Sequence, residues 1–390
     1  MRTESTGHSK SCGWLASVPR QAAAARRAIA APFLVCALAG AWIGSALAAR
    51  PTEFHAGEVE RATKTESAGL RNHGDQTLRM LIWYPVASTA VERQVAMGDP
   101  DSPVFIAGRV AADAPWADAD ARPLIALSHG FGSVGRQMTW LGAALARAGY
   151  VVVAVDHPGT NGRDGITPEG AYAGWERAGD IRAAIDLVLS DTAIAPHVDV
   201  HRIGVGGFSM GGWTAVLLAG GTTDFERLDA FCASKERDSI CGPQLEFPLD
   251  FSVRNETLSL PAMHPIAARE KHEFRDPRIR AAFLIDPAIA EALDDASLRR
   301  IRVPMEIVAG TADPIAVPAT NGELIAKAVP HAKLILLPRV AHYDFLSECG
   351  PAGLKIAPGY CADGVRTARA RTHAVTENAA IRFFDATLHR

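Results

Sequence analysis

A turn from strand to helix places the strongest restriction on how this chain can fold. The apolar and glycine-rich run Arg202–Phe208 predicts a buried strand, and the small residues after Ser209 predict a helix. The turn between them reads G-F-S-M-G over residues 207–211. Glycine two positions before and two positions after the serine lets a strand turn sharply into a helix without side-chain collisions. Such a turn exposes the serine hydroxyl at the edge of a sheet.

Apolar runs of strand length alternate with helical periodicity along most of the chain. Strands are predicted over 78–85, 123–128, 150–156, 202–208, 281–285, 305–309 and 333–337, and helices over about 136–148, 171–190 and 368–388. This alternation predicts an α/β fold, a mostly parallel central sheet with helices on both faces. Residues 87–121 are rich in Ala, Asp and Pro without a clear period, and we predict that they form a surface loop.

Residues 221–275 interrupt the alternation between the helix after Ser209 and the next strand. They contain Cys232, Cys241 and several prolines, with few periodic apolar positions. A long irregular insertion in a compact domain is usually functional or disordered. We predict a disulfide-pinned cap over the mouth of the site at Ser209. The alternative is a surface elaboration that makes no contact with substrate.

Two main-chain N–H groups are predicted to bind negative charge next to Ser209. The N–H of Met210 begins a helix, and a helix N-terminus attracts anions. The second donor is predicted at Phe131, in the S-H-G-F-G segment over residues 128–132 that follows an earlier strand. When a serine attacks an acyl carbon, a full charge develops on oxygen, and each donor contributes about 3 kcal/mol. The two segments together therefore predict an oxyanion hole.

The base that would activate Ser209 is predicted at His342, on the loop after the last strand. Its orienting acid is predicted at Asp313, in the G-T-A-D-P turn after the preceding strand, which preserves the chain order Ser, acid, His. Asp286 also follows a strand and is the alternative acid. Asp344 is too close to His342 in sequence to be its natural partner.

Other histidines of the chain are predicted to have structural roles and no catalytic or metal-binding role. His197, Asp199 and His201 alternate ahead of the strand that leads to Ser209, and on a strand they would share one face like metal ligands. We expect them at the exposed far end of that strand, and we predict neither a metal site nor a cofactor. His157, in the D-H-P-G segment after another strand, is predicted to belong to a structural turn.

At these motifs the chain resembles the α/β-hydrolase superfamily. It is most similar to the exported dienelactone-hydrolase-like group related to platelet-activating-factor acetylhydrolases and polyester-degrading cutinases. The resemblance spans roughly residues 75–390, through the segments 82–85, 128–132, 156–159, 207–212, 310–313 and 342–343. It implies the α/β-hydrolase fold and a serine hydrolase, without a cofactor, that cleaves small-molecule, lipid or polyester esters through an acyl-enzyme. Dienelactone hydrolases carry Cys where this chain has Ser209, so their substrate is not implied.

Other function classes are weighed against this interpretation. A formal net charge of −3 with 21% charged residues predicts no nucleic-acid partner. A catalytically silent binding protein on the same fold is the main alternative, because fold does not define function. Peptidase or thioesterase activity also stays open, because the same triad serves those reactions. The sequence leaves the acyl and alcohol preferences open.

The first fifty residues have the pattern of an export signal. Basic residues precede an uncharged run from Ala28 to Ala49, in which A-L-A over 46–48 provides a cleavage site. We predict a cleaved signal peptide over residues 1–48 and a periplasmic or secreted hydrolase domain over 49–390, without a stable membrane span. An uncleaved anchor is the alternative.

Four cysteines follow the predicted cleavage site, at Cys232, Cys241, Cys349 and Cys361. An even number in an exported chain argues for disulfides. Four cysteines allow three connectivities, and the sequence alone does not choose among them. The pairs that are close in sequence, Cys232–Cys241 and Cys349–Cys361, are the ones we predict.

Overall fold

A computed structural model describes residues 54–65, 67–246, 253–361 and 366–389 of the protein. The signal peptide predicted over residues 1–48 lies outside this range. Among the helices in the described range, none is long and apolar enough to cross a membrane.

One large sheet organises the described chain. Its eleven strands are β1 Phe54–Lys64, β2 Thr77–Ala87, β3 Arg93–Asp99, β4 Ser102–Ala112, β5 Arg122–Ser128, β6 Val151–Val155, β9 Val198–Phe208, β10 Ile279–Ile285, β11 Met305–Gly310, β12 Lys333–Leu337 and β13 Glu348–Cys349. The strands β7 Thr160–Asn161 and β8 Gly165–Ile166 form a separate two-stranded hairpin.

The strand order across the large sheet is β12-β11-β10-β9-β5-β6-β2-β1-β4-β13, with β3 paired to β4 beside this path. All neighbouring strands from β12 to β6 are parallel. Strand β2 runs antiparallel to β6, and β1 runs antiparallel to β2. The predicted α/β fold with a mostly parallel central sheet is therefore confirmed.

Most of the helices lie in the crossovers between the parallel strands, while the first lies between β1 and β2 and the last three follow β13. The helices are α1 Ala68–Arg71, α2 Thr139–Arg147, α3 Pro168–Tyr172, α4 Arg177–Ser190, α5 Met210–Ala219, α6 Phe225–Ala233, α7 Arg254–Leu258, α8 His264–Ala267, α9 Asp295–Arg300, α10 Gly322–Ala328, α11 Gly353–Ile356, α12 Pro358–Cys361 and α13 Arg366–Leu388. The single helix predicted over 171–190 is divided: α3 and α4 are separated by a 3-10 turn over Gly174–Glu176.

The hydrophobic core has one layer on each face of the sheet. On one face α4 and α5 bury Ile181, Ile185 and Val216 against the strands. On the other face α2 and α13 bury Leu141 and Phe384. Each such side chain contributes roughly 1.5–3 kcal/mol when it leaves water. These two layers fix the strand ends from which the loops described below emerge.

The prediction of a surface loop over residues 87–121 is wrong for most of that stretch. It contains β3 and β4, which pair with each other, while β4 also extends the sheet beyond β1. Two register shifts between β3 and β4 break the alternation of apolar and polar residues, so the usual strand period is lost in the sequence. Val110 of β4 is nevertheless buried in the same cluster as Leu141 of α2.

The insertion over 221–275 is partly helical and contains α6, α7 and α8, while residues 247–252 lie outside the described chain. Its Phe225 and Ile266 belong to the same buried cluster as Trp175 and Trp213. The ring of Phe225 meets those of Trp175 and Trp213 edge-on, at 5.9 and 6.3 Å between centroids. This part of the insertion is thus anchored to the core.

Both predicted disulfides, Cys232–Cys241 and Cys349–Cys361, are present. The first joins α6 to the 3-10 turn that follows it inside the insertion. The second joins β13 to α12. The prediction of two local pairs is confirmed.

Candidate active site

Ser209 lies at the carboxyl end of β9, directly before α5. Its backbone has φ 55° and ψ −122°, a conformation that is strained for any residue with a side chain. Its N–H donates to the Ile285 carbonyl at 2.9 Å, and its own carbonyl accepts from Gly212 and Ala288 at 2.9 and 3.2 Å. These hydrogen bonds hold the strained turn in place.

Gly207 and Gly211 are required by the close approach of the neighbouring backbone. A Cβ at residue 207 would lie 2.4 Å from the Gly211 carbonyl carbon. A Cβ at residue 211 would lie 1.9 Å from the Ser128 carbonyl oxygen. Neither position can accept even alanine without displacing main chain, which explains the glycine spacing around the serine.

His342 lies in a 3-10 turn, His342–Phe345, after β12, and its side chain reaches Ser209. Its Nε2 is 2.9 Å from Ser209 Oγ, and its ring packs on Phe208 with the centroids 4.8 Å apart. The Asp344 carboxylate accepts from the Ala341 N–H at 2.9 Å, so it caps this turn. The imidazole is buried, with a side-chain exposure of 2%.

Asp313 and Asp286 both approach the far side of the His342 ring, at different distances. Asp313 Oδ2 is 2.6 Å from His342 Nδ1, whereas Asp286 Oδ2 is 3.7 Å away. The other oxygen of Asp313 accepts from Ile315 and Ala316 N–H at 2.6 and 2.9 Å. Asp286 accepts a weaker bond of 3.2 Å from a main-chain N–H, and its Oδ2 has no hydrogen-bond partner in the described chain.

The pKa values of the two carboxyl groups are shifted in opposite directions. Burial raises the pKa of Asp286 well above its ordinary value, and the charge of Asp313 adds to that effect. Burial acts the same way on Asp313, but the facing His342 outweighs it and brings the pKa of Asp313 below its ordinary value. Burial alone would lower the pKa of His342, yet the Asp313 carboxylate raises it. The shift in each pKa therefore favours negative charge on Asp313, which faces the imidazole, over negative charge on Asp286.

The turn after β5 presents its backbone to Ser209. A Cβ at Gly130 would lie 3.4 Å from Ser209 Cβ and 3.0 Å from the Phe208 ring, so this turn lies against the serine. Phe131 follows in the same turn and lines the cavity into which Ser209 opens. Met210 is the first residue of α5, so its N–H lies at the N-terminus of that helix. Both predicted oxyanion donors thus belong to segments beside Ser209.

A cavity of about 920 Å³ opens over Ser209 and His342. Met97 of β3 and Phe105 of β4 form part of its wall, and Tyr343 and Tyr360 form another part. Such a mixture of apolar and aromatic surface with a few polar groups is typical of a small-molecule site.

Sequence reasoning missed the wall residues of β3 and β4, because that stretch was predicted to be a loop. The apolar run V-F-I-A over residues 104–107 was the available signal. From the described part of the insertion, Glu246 lines the cavity and accepts a hydrogen bond from the Tyr343 hydroxyl. That the whole insertion over 221–275 caps the site remains a prediction.

His197, Asp199 and His201 do not converge. His197 stacks on Trp116, with the rings 4.0 Å apart and 6° from parallel, and Asp199 pairs with Arg202. Within the described residues, His, Cys, Asp and Glu side chains come close enough for a metal at one group of three, Asp286, Asp313 and His342. That group is the one already described beside Ser209.

Comparison with known proteins places this chain in a family. Residues 124–351 match the model of the Alpha/beta hydrolase family, and the chain belongs to that family. A solved structure of a ferulic acid esterase from Streptomyces cinnamoneus superimposes with a TM-score of 0.55. It covers 88% of this chain and 92% of that one at 21% identity, a likeness that shows the fold alone.

Curated relatives match over a shorter stretch. Cutinase est2 of Thermobifida alba is 33% identical over 104 residues, which are 26% of this chain and 31% of that protein. Cutinase 2 of Thermobifida cellulosilytica is 30% identical over 104 residues, 26% of this chain and 36% of that protein. The match thus spans about a third of the length of these relatives.

The Cys349–Cys361 loop borders the cavity, which leads to a testable difference between the two disulfides. Tyr360 packs edge-on against Tyr343 with the ring centroids 4.9 Å apart, and Tyr343 is adjacent to His342. Replacing Cys349 and Cys361 together by Ala should therefore lower kcat/KM for an ester about 10-fold, because a cavity wall is displaced.

The Cys232–Cys241 pair provides the matched control for that prediction. Both disulfides join cysteines that are close in sequence, 9 and 12 positions apart. Removing either should therefore lower the free energy of unfolding by a similar amount, up to about 3 kcal/mol. Melting temperature and ester kinetics are measured on both double variants. Equal kinetic losses in the two would contradict a specific role for the Cys349–Cys361 loop.

Proposed function

We propose that the chain is an exported serine esterase that hydrolyses carboxylic esters with Ser209 as nucleophile, His342 as base and Asp313 as orienting acid. One observation carries the proposal: a continuous row of hydrogen bonds from Ser209 Oγ through His342 to Asp313, at 2.9 and 2.6 Å, opens into a large cavity. The similarity of one segment to cutinases supports an ester as the substrate. Asp286 remains the alternative acid in this proposal, and its longer distance from His342 Nδ1 and its raised pKa argue against it.

The first half of the reaction transfers the acyl group to the enzyme. Ser209 Oγ attacks the ester carbonyl carbon while its proton passes to His342 Nε2. The carbonyl oxygen becomes negative and accepts hydrogen bonds from the N–H groups of Phe131 and Met210. As the tetrahedral intermediate collapses, the bond to the alcohol oxygen breaks and His342 donates its proton to that oxygen.

The second half releases the acid and restores the serine. A water molecule attacks the acyl carbon while His342 Nε2 accepts a proton from it. The Ser209 Oγ–carbon bond then breaks, and His342 returns the proton to Oγ. Throughout both halves Asp313 accepts the hydrogen bond from Nδ1, which keeps Nε2 free to act as the base and stabilises the imidazolium.

The finer assignments are also proposals. We infer that the protein belongs to the exported dienelactone-hydrolase-like group, near the platelet-activating-factor acetylhydrolases, and that it acts on small-molecule, lipid or polyester esters. Two disulfides support an oxidising compartment, either the periplasm or the exterior. Cleavage after residue 48 would release the hydrolase domain, and the insertion over 221–275 would cover the mouth of the cavity.

A substrate panel on residues 49–390 tests this function against its alternatives. The panel contains p-nitrophenyl esters of increasing acyl length, a matched thioester and a matched p-nitroanilide. We expect turnover of the esters, and the preferred acyl length would report how much of the 920 Å³ cavity the acyl group fills. If only the anilide is turned over, the activity is that of a peptidase, and if only the thioester is turned over, it is that of a thioesterase. No turnover of any compound would favour a catalytically silent binding protein.

A further inference from the structure

A buried cluster of polar side chains lies behind the turn after β5, residues 128–132, which we call the oxyanion turn. The cluster has no part in the reaction described above. Its members come from α1, α4 and the ends of β5 and β6, and each is at most 1% exposed: Arg71, Ser128, His129, His157, Arg177 and Asp180. Burying so many polar groups costs free energy unless they are paired, so their arrangement calls for a physical account.

One part of the cluster is a relay of hydrogen bonds. Ser128 Oγ is 2.9 Å from His157 Nε2, and His157 Nδ1 is 2.9 Å from Asp180 Oδ2. Both terminal nitrogens of Arg71 donate hydrogen bonds to the same Asp180 carboxylate, at 2.7 and 3.2 Å. The relay resembles Ser209–His342–Asp313 in geometry, but Ser128 is fully buried and does not line the cavity. It is therefore structural and not a second nucleophile.

The cluster contains more positive than negative charge. Burial, followed by the charge of Arg177, lowers the pKa of both His129 and His157 well below the ordinary value, so both rings are neutral. Burial lowers the pKa of Arg177 to about 9, which leaves its guanidinium charged at neutral pH. Two guanidinium groups thus face one carboxylate, Asp180, whose two oxygens are already bound by Arg71.

The guanidinium group of Arg177 lies against the oxyanion turn. Its Nη2 donates to the His129 carbonyl and lies 3.4 Å from Ser128 Oγ. Its Nε and Nη1 have no hydrogen-bond partner within the described chain. The His129 carbonyl in turn lies against the start of α5, because a Cβ at Gly211 would be 2.9 Å from it. A single peptide therefore separates the guanidinium from the backbone that faces Ser209.

We propose that Arg177 is a positioning residue for ester hydrolysis. It holds the His129–Gly130 peptide, which adjoins the peptide that carries the Phe131 N–H aimed at the oxyanion, and its charge stabilises that oxyanion. The inference rests on the proposed esterase function. Negative charge on the substrate oxygen exists in the tetrahedral state and not in the bound ester, so Arg177 should affect kcat and leave KM largely unchanged. The interior around it has a low dielectric constant, so its charge acts over a longer range than in water.

Two substitutions at Arg177 and one matched control test this proposal. Arg177→Gln removes the charge, and Arg177→Lys keeps the charge but loses the planar fork. The control is Arg182→Gln on the same helix, where Arg182 donates to the Phe274 carbonyl at 2.7 Å and does not line the cavity. Each variant is assayed for kcat, KM, melting temperature and inhibition by phenylboronic acid. The boron atom of phenylboronic acid bonds to Ser209 Oγ and becomes the centre of a tetrahedral anion, while the serine proton passes to His342. The Ki of this inhibitor therefore reports the environment of the oxyanion.

For Arg177→Gln we expect kcat to fall about 100-fold with KM within twofold of wild type, by comparison with the loss of one oxyanion donor. The Ki of phenylboronic acid should rise by a similar factor. Arg177→Lys should lose about 10-fold in kcat with a parallel rise in Ki. Arg182→Gln should match wild type in both kcat and Ki. A purely structural role would lower the melting temperature without this joint change in kcat and Ki.

The outcomes separate failure of this inference from failure of the esterase proposal. If wild type hydrolyses esters and both Arg177 variants keep kcat and Ki within threefold of wild type, the role of Arg177 is refuted and the esterase stands. If Arg177→Gln does not fold, Arg177→Lys decides alone, and wild-type values of kcat and Ki in it overturn the inference. If wild type itself has no ester turnover that depends on Ser209, the proposed function fails, and this inference fails with it.

Discussion

Replacing Ser209 by Ala should reduce ester turnover by at least about 10⁴-fold, because removal of Oγ leaves no atom to form the acyl-enzyme. The backbone should be unaffected, since Ala adopts the φ of 55° no less readily than Ser. The hydrogen bonds that hold the turn involve the main chain of Ser209 and not its hydroxyl. The melting temperature should therefore stay within a few degrees of wild type.

Turnover and melting temperature are measured together on this variant, with circular dichroism as the check on folding. Full activity with an unchanged spectrum would show that Ser209 is not the nucleophile. Lost activity accompanied by a large fall in melting temperature would contradict the claim that the turn is held by its main chain alone. A folded, inactive protein is the result that we expect.

The second large effect concerns the acid that orients His342. Asp313→Asn should reduce turnover by about 10⁴-fold, because an amide cannot stabilise the imidazolium and can favour the wrong tautomer. The pKa of His342, which the Asp313 carboxylate raises, should fall in this variant. Since the base must be neutral to accept the serine proton, the acid limb of the residual pH–rate profile should move to lower pH.

Asp286→Asn is the matched control for that substitution. Burial raises the pKa of Asp286 well above its ordinary value, which favours the neutral carboxyl group, and Asn is close to that group in shape and charge. We expect turnover within about 10-fold of wild type and a modest change in melting temperature. If Asp286→Asn loses activity at an unchanged melting temperature while Asp313→Asn stays active, the acid lies on the earlier strand.

Much of the fold and the identity of the candidate residues follow from local sequence. The strand, the glycine spacing around Ser209 and the helix after it define the turn, because each is a short-range steric requirement. His342 and Asp313 follow from chain order, since loops after parallel strands meet at the same sheet edge. The structure brings all three side chains into one hydrogen-bonded row.

Other features depend on contacts that sequence patterns do not encode. The β3–β4 hairpin was missed because register shifts hide its period. The sequence favoured Asp313 over Asp286 only weakly, because both residues follow strands. In the structure a difference of about 1 Å in their distances to His342 separates them. Arg177 gave no signal at all, since an arginine on a helix is usually exposed, and its partner His129 lies 48 residues away.

Covalent labelling tests the central claim, that Ser209 is an activated nucleophile, most directly. The folded protein is treated with a fluorophosphonate, whose fluoride leaves as a serine oxygen bonds to phosphorus, and the modified peptide is identified by mass spectrometry. The account predicts one phosphonyl group per chain on the peptide that contains Ser209, formed at a rate that falls sharply in Asp313→Asn, and no adduct in Ser209→Ala. An unmodified wild-type chain, or an adduct on another residue that persists in Ser209→Ala, would contradict it.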